Sequence, residues 1–565
     1  MKKLILFLLI STSIFGQDTI VGNKFINSGQ STTLSYITPT IYLWNTGETT
    51  ATINVSPVNT TTYTLTVTRG VSVVNYLATV NVAGTYDVDA EAFFNRVNTM
   101  GYPAPDSVKT FINNLVVRLK TEMGVDGVTS QWNSLDVINL MACYNKAVAG
   151  LNIKSATIGN ATIMTDYANS FVVNKGFKGN GTSFKMNSNF NPFDGGTYKF
   201  KNNDNSFGCY INTNTREVKG VISNVDASQN GYELRTHTSA TVSYNGNTVG
   251  MTSLAFDATG SNASKRTPDN KTNAYKNWKS SLVDNNSAVT STVNKSFKYF
   301  CRDVGGTYSL YSLNRVAYIY FGSSNVNLQK LDRAIIETYL KPVGGALLKR
   351  VVFDGNSFFS QAIMPATVMD LLWSNGIECT SHVNAIYGTS ISTMITNAPT
   401  KVDPYQEAYF TKEVFLFWEL TNTMKGTSAN VDTAFNRMKR YFDQRHIAGW
   451  TCPIVSGVCP PFASNLTTGI SPIKRDSTTN LTLASTINGK IRANKVLLGI
   501  QAVSDEGAMY NGVFTYDPVF KDALGVAGVG ELNTTYFVPD GHMTTFGYYY
   551  WATNHLYPQC LLYLQ

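Results

Sequence analysis

"KRVVFDGNSFFS" (Lys349–Ser360) decides how the carboxyl-terminal part of this chain is read. An apolar run from Val351 to Phe353 stops at Asp354, Gly355 and Asn356, and a lone serine, Ser357, follows. A strand buried on both faces reads as a continuous apolar run, not as an alternation. The next stretch, "FFSQAIMPATVMDLLW" (Phe358–Trp373), can be helical, so strand, turn and helix succeed one another. Further on, "EVFLFWEL" (Glu413–Leu420) and "KVLLGIQAV" (Lys495–Val503) read as buried strands, and "TAFNRMKRYFDQR" (Thr433–Arg445) as a helix. Apolar strands alternating with helices imply a parallel sheet covered on both faces, with chemistry on the loops at the carboxyl ends of the strands. Ser357 stands at such an end. Residues 343–565 are therefore expected to form an α/β/α domain.

At 565 residues the chain is too long for one core and should divide into about three or four domains. Only 15% of residues are charged, and the formal charge of +8 falls to +6 without Lys2 and Lys3. The remaining cations are scattered with no basic stripe, which argues against nucleic acid as a partner. "MKKLILFLLISTSIFG" (residues 1–16) has two lysines, an apolar core and a small, polar end, the pattern of a secretory signal peptide. No later stretch approaches the length of a membrane helix, so the mature protein is expected to be exported, soluble and extracellular. The seven cysteines are an odd number; Cys452 and Cys459 form either a small local disulfide or two buried thiols. His237, His382, His446, His542 and His555 stand apart, and no Cys or His pair has metal-ligand spacing, so neither a metal nor a cofactor is expected.

Residues 17–84 read as a small antiparallel β-sandwich. "YLWNTGETTATINVSPVNTTTYTLTVT" (Tyr42–Thr68) alternates Thr with apolar residues around a turn. Trp44 is the expected core aromatic, with Tyr63 in a late strand, and the stretch resembles immunoglobulin-like modules in architecture alone. Residues 85–150 read as a helical connecting segment: Asp89 can cap a helix bearing Phe93, Phe94 and Val97, and Asp106 a second bearing Val108, Phe111, Ile112, Leu115, Val116 and Leu119. Residues 151–342 return to alternating strands with Asn, Gly and Ser turns. Through "GFKGNGTSFKMNSNFNP" (Gly176–Pro192) this region resembles a concanavalin-like jelly roll, a fold that either binds glycans through exposed aromatics or serves as structure.

Four short blocks in residues 343–565 carry a further resemblance. "GNS" (Gly355, Asn356, Ser357) ends the first strand, Gly388 in "NAIYGTSISTMI" follows the next, "FWELTNTMKG" holds Asn422, and "VPDGHMTTFGY" holds Asp540 and His542. In this order they resemble the SGNH hydrolases, the GDSL-like esterases, over nearly the whole domain. The chain departs from the family pattern at Asn356, which stands for Asp, and at Leu420 and Thr423, which flank Asn422 in place of Gly and Asp. Asp540 also sits one residue closer to the histidine than the pattern has it. The resemblance implies Ser357 as nucleophile, His542 as base, and Asp540 or a backbone carbonyl orienting the imidazole. It assigns the oxyanion hole to the Ser357 and Gly388 N–H groups and the Asn422 amide. A serine hydroxyl needs a base within hydrogen-bond reach, and donors aimed at the developing oxyanion lower the barrier most. Asp354 and Glu419, beside the motifs, are expected to bond local backbone or a neighbouring loop.

The expected whole is a secreted modular esterase, two β-sandwiches followed by an α/β/α hydrolase, that removes O-acyl groups, O-acetyl foremost, from a polysaccharide. The alternatives are a cell-surface or phage-borne glycan-binding adhesin with a degenerate hydrolase domain, and an esterase of lipids or small esters whose sandwiches only space.

Overall fold

The computed structural model describes residues 20–565 except 21, 23, 28–29, 37–40, 70–71, 84–85, 216–218, 227–230, 237–239, 245–246, 252–258, 270, 286–292, 362, 425–430, 460–485 and 505–542. Residues 1–16, His237, Asp540 and His542 lie outside the described residues. The chain divides into two compact units, residues to 94 with 105–113, and residues 95–104 with 114–565. Among the described residues no helix is long and apolar enough to cross a membrane.

In the first unit, Phe25–Asn27, Ser72–Ala83, Thr61–Arg69 and Ile41–Trp44 form a sheet in that order, and Thr32–Ser35 pairs with Thr52–Val55. Alternation along these strands buries Leu34, Trp44, Ile53, Tyr63, Leu65 and Val67 in one core. Outward-facing threonines meet across strands, with Thr62 and Thr79 hydroxyls 2.9 Å apart. The helix Val88–Thr99 starts where Asp87, not Asp89, supplies the cap: its carboxylate accepts from the Asp89 N–H at 2.9 Å. A capping side chain must precede the first helical N–H groups, and Asp89 is already inside the helix.

In the second unit an eight-stranded and a nine-stranded sheet, counted among the described residues, pair almost wholly antiparallel. They face each other through rings: Phe207 lies 6.2 Å from Tyr232, and Tyr299 6.3 Å from Phe321. Strands begin earlier than the sequence pattern places them, because Leu135–Leu140 pairs with Arg315–Gly322. Buried on nearly every residue, "LDVINL" shows no alternation to mark it as a strand.

The same unit holds a five-stranded parallel sheet. Its strands are β1 (Lys349–Gly355), β2 (Thr380–Val383), β3 (Lys412–Trp418), β4 (Ile454–Ser456) and β5 (Ala502–Val503), in the order β2-β1-β3-β4-β5. The helices around it include α1 (Ser357–Ser360), α2 (Ile363–Ser374), α3 (Ile391–Lys401), α4 (Thr421–Met424), α5 (Val431–Ile447), α6 (Lys495–Leu498), α7 (Thr545–Trp551) and α8 (Tyr557–Leu564). Neighbouring residues of β3 show both covered faces. The Phe417 ring meets Tyr441 and Phe442 of α5 at 5.2 and 4.9 Å, whereas Trp418 stacks on Phe358 at 5.0 Å and meets Trp551 of α7 at 5.2 Å. The "KVLLGIQAV" strand is not present as read. "KVLL" is the helical turn α6, closed by Gly499 at φ +69°, and only Ala502–Val503 pairs with β4. Val496 and Leu497 are exposed, so the apolar run there does not report burial. Cys452 and Cys459 are buried and are not joined in a disulfide.

Candidate active site

β1 delivers the first block to the carboxyl end of the sheet. Gly355 has φ +158°, and a Cβ there would lie 2.2 Å from the Trp418 carbonyl oxygen, so the crossing to β3 admits no side chain. The chain then turns: the Asn356 N–H donates to Trp418 O at 3.0 Å, and Asn356 Oδ1 accepts from the Phe358 N–H at 3.1 Å. This is an N-cap, and it starts α1 at Ser357. Asn356 thus supplies the capping oxygen of α1. Asn356 Nδ2, fully buried, has no partner among the described residues. Ser357 itself is 5% exposed.

The second block is stitched to the first. Beyond β2, the Asn384 N–H donates to Phe353 O at 2.8 Å and the Ile386 N–H to Gly355 O at 2.9 Å. The Thr389 N–H returns to Ile386 O at 3.3 Å, closing a turn over Tyr387 and Gly388. Gly388 has φ +70° with open space around the position of a Cβ, so backbone conformation and not crowding calls for glycine there.

The third block is tied to the second by a buried carboxylate and an amide. Glu419 Oε1 accepts from the Asn422 N–H at 2.8 Å and the Thr423 N–H at 3.3 Å. Its Oε2 accepts from Thr423 Oγ1 at 2.5 Å and from the Ile391 N–H, the first residue of α3, at 3.1 Å. Asn422 Nδ2 donates to Thr389 O at 2.9 Å. Burial pushes the Glu419 carboxyl up to about 7, opposed by these hydrogen bonds. Asp354, one residue before Gly355, accepts from the Tyr441 hydroxyl of α5. Burial raises it to about 6 against the Tyr441 bond and the charges of Arg445 and Lys279. Both carboxylates hold structure together, as the sequence reading expects, although Asp354 is bonded by a helix and not by a loop.

Gly355, Ile386–Thr389 and Asn422 therefore form one hydrogen-bonded arc across the carboxyl ends of β1, β2 and β3, with Ser357 at one end. Asp540 and His542 lie outside the described residues, but the helix that follows them is anchored beside the serine. Thr544 caps α7, and Tyr548 of α7 lies 6.3 Å from Phe358, the neighbour of Ser357. Two other histidines are occupied elsewhere: His382 is buried with Nε2 3.0 Å from Asn384 Oδ1, and His446 lies within 3.1 Å of the Trp450 and Gly499 carbonyls. Burial pushes the His382 imidazole well down, which keeps it neutral.

Sequence reading did not find the residues that brace β2 from the preceding β-sandwich. Asn277 Nδ2 donates to Ser381 O at 2.6 Å and Lys279 Nζ to Val383 O at 2.6 Å. Only the turn at Asn277 and Trp278, with φ +45° and +70°, aims them there, and "KNWK" carries no motif that announces it.

No family profile matches the chain, and no curated protein does. Similar solved structures include a lipase/acylhydrolase from Enterococcus faecalis, 13% identical over 37% of this chain and 94% of that one, with a TM-score of 0.27. A GDSL-like lipase from Bacteroides thetaiotaomicron is 18% identical over 38% of this chain and 87% of its own, at 0.24. An acetyl xylan esterase is 11% identical over 36% and 96%, at 0.26. Scores this low carry no functional weight for this chain.

Proposed function

We propose that this chain is an exported serine esterase of the SGNH type that removes O-acyl groups, O-acetyl foremost, from a polysaccharide. The observation that carries the reading is the convergence of three separate motif blocks, Gly355–Ser357, Gly388 and Asn422, on one end of a parallel sheet through backbone and amide hydrogen bonds. In this reading Ser357 attacks the ester carbonyl, and His542, oriented by Asp540, takes its proton and returns it to the leaving alcohol. The Ser357 and Gly388 N–H groups and the Asn422 amide stabilise the tetrahedral oxyanion. Asn422 Nδ2 has two hydrogens, so its bond to Thr389 O leaves the second for that oxyanion. Water then repeats the attack on the acyl-enzyme and frees the acid.

Residues 17–84 are read as an immunoglobulin-like module, 85–150 as a connecting segment and 151–342 as a concanavalin-like sandwich, with 343–565 as the hydrolase. The facing sheets in the second unit support the sandwich reading, and the "MKKLILFLLISTSIFG" leader supports export. The test is hydrolysis of p-nitrophenyl acetate by the full chain. Turnover that disappears in Ser357→Ala, with an unchanged circular dichroism spectrum, supports the assignment; a folded wild type without turnover on any small ester favours the adhesin.

A further inference from the structure

We propose that Glu419 is the positioning residue of the oxyanion hole, holding the Asn422 amide and the Gly388 turn in register; the inference rests on the esterase reading of this site. Its carboxylate is fully buried and accepts four hydrogen bonds from two different blocks: Asn422 N–H, Thr423 N–H and Thr423 Oγ1 on one side, and Ile391 N–H on the other. Thr423 Oγ1 also accepts from the Ile391 N–H at 3.0 Å, so carboxylate, hydroxyl and N–H close a small ring between α3 and α4.

The consequence for the site follows from connectivity. Ile391 lies two residues after Thr389, whose carbonyl holds the Asn422 amide, and three after Gly388. The backbone of Asn422 is fixed by Oε1 and its side chain by Thr389 O, so the donor is held from both ends. A residue that merely capped α4 would need only the bonds to Asn422 and Thr423; the bond to Ile391 is what couples the two blocks. Thr423 stands where the family pattern has Asp, and Glu419, four residues earlier, supplies a carboxylate to that threonine. A glutamine at 419 would keep one acceptor oxygen but turn an NH2 group towards N–H or O–H donors, which breaks one side of the clamp. Preorganised donors act through the transition state, so loosening the clamp lowers turnover and leaves ground-state binding nearly unchanged.

The test uses the full chain and p-nitrophenyl acetate with Glu419→Gln, Asn422→Ala and the double variant, each checked for folding by thermal melt. Glu419→Gln is expected to lower kcat roughly tenfold or more with KM within about twofold, and the double variant is expected to be no slower than Asn422→Ala alone. Multiplying losses in the double variant, or a Glu419→Gln enzyme with more than half the wild-type kcat, overturns the proposal. Thr423→Val, which removes one donor to the carboxylate and one acceptor of the Ile391 N–H but keeps the three backbone N–H bonds to Glu419, serves if Glu419→Gln does not fold; the same non-additivity with Asn422→Ala is expected. Crystal structures of wild type and variant give a readout independent of activity. The Asn422 amide should leave Thr389 O in the variant while β1 and β3 stay in place; an amide held in its wild-type position overturns the proposal even if the wild type hydrolyses no ester. In that last case the inactive wild type, and not the clamp, counts against the esterase reading.

Discussion

At the residue scale the two buried carboxylates beside the motifs behave differently from solvated ones. Asp354, raised by burial to about 6 from 3.8, binds its proton more tightly in the folded chain than in the unfolded one. Its contribution to stability is therefore complete below about pH 4 and is lost as pH rises through 6. Asp354→Asn keeps an acceptor for the Tyr441 hydroxyl and removes that loss. Thermal melts are expected to show the variant gaining on wild type from pH 5 to pH 8 by about 1 kcal/mol; parallel curves would show that Asp354 does not titrate in this window. That the blocks holding Ser357, Gly388 and Asn422 belong together was readable from their order in the sequence, and the structure brings the blocks to one end of the sheet. The clamp on Asn422 was not, because nothing in "FWELTNT" says that a glutamate reaches the first N–H of another helix. That depends on the path of the loop from β2 to α3, which the tertiary fold sets.

At the scale of elements, the strand-to-helix turns carry the site, and the glycines at two of them are needed for different reasons. A methyl group at 355 meets the Trp418 carbonyl oxygen at 2.2 Å, whereas one at 388 meets nothing within 4 Å and strains only the backbone. Gly355→Ala is expected to cost on the order of 2–4 kcal/mol, because the backbone of β1 or β3 must move. Gly388→Ala is expected to cost about 1 kcal/mol, the price of a left-handed residue with a Cβ. Urea unfolding of the two variants measures the difference, and equal losses would show that β1 and β3 yield without cost. β1, β3 and α5 were legible from long apolar runs or helical spacing. β4 and β5, three and two residues long, are too short for any period to show, and α6 imitated a strand because its exposed Val496 and Leu497 extended the apolar run.

At the scale of the whole molecule, the parallel sheet does not end in solvent at β2. Ser381 and Val383 turn their carbonyls outward from the edge strand, and Asn277 and Lys279 of the preceding sandwich satisfy them, while Thr259 Oγ1 bonds Thr380 Oγ1 at 3.1 Å. An uncovered edge strand invites pairing with other chains. Residues 343–565 produced alone are expected to melt below the full chain and to aggregate as concentration rises. An isolated domain that melts with the full chain and stays monomeric would show that the sandwich adds nothing to the edge. The division into β-rich and α/β parts was legible from texture, since hydroxyl-rich alternation and apolar runs look different in sequence. That Asn277 and Lys279 brace the edge was not, because they lie about a hundred residues from β2. The central claim, a nucleophilic Ser357, is tested most directly by treating the full chain with a fluorophosphonate and mapping the adduct by peptide mass spectrometry. One adduct on Ser357, lost in Ser357→Ala together with ester hydrolysis, is the predicted result; hydrolysis that persists with Ser357 unmodified would contradict it.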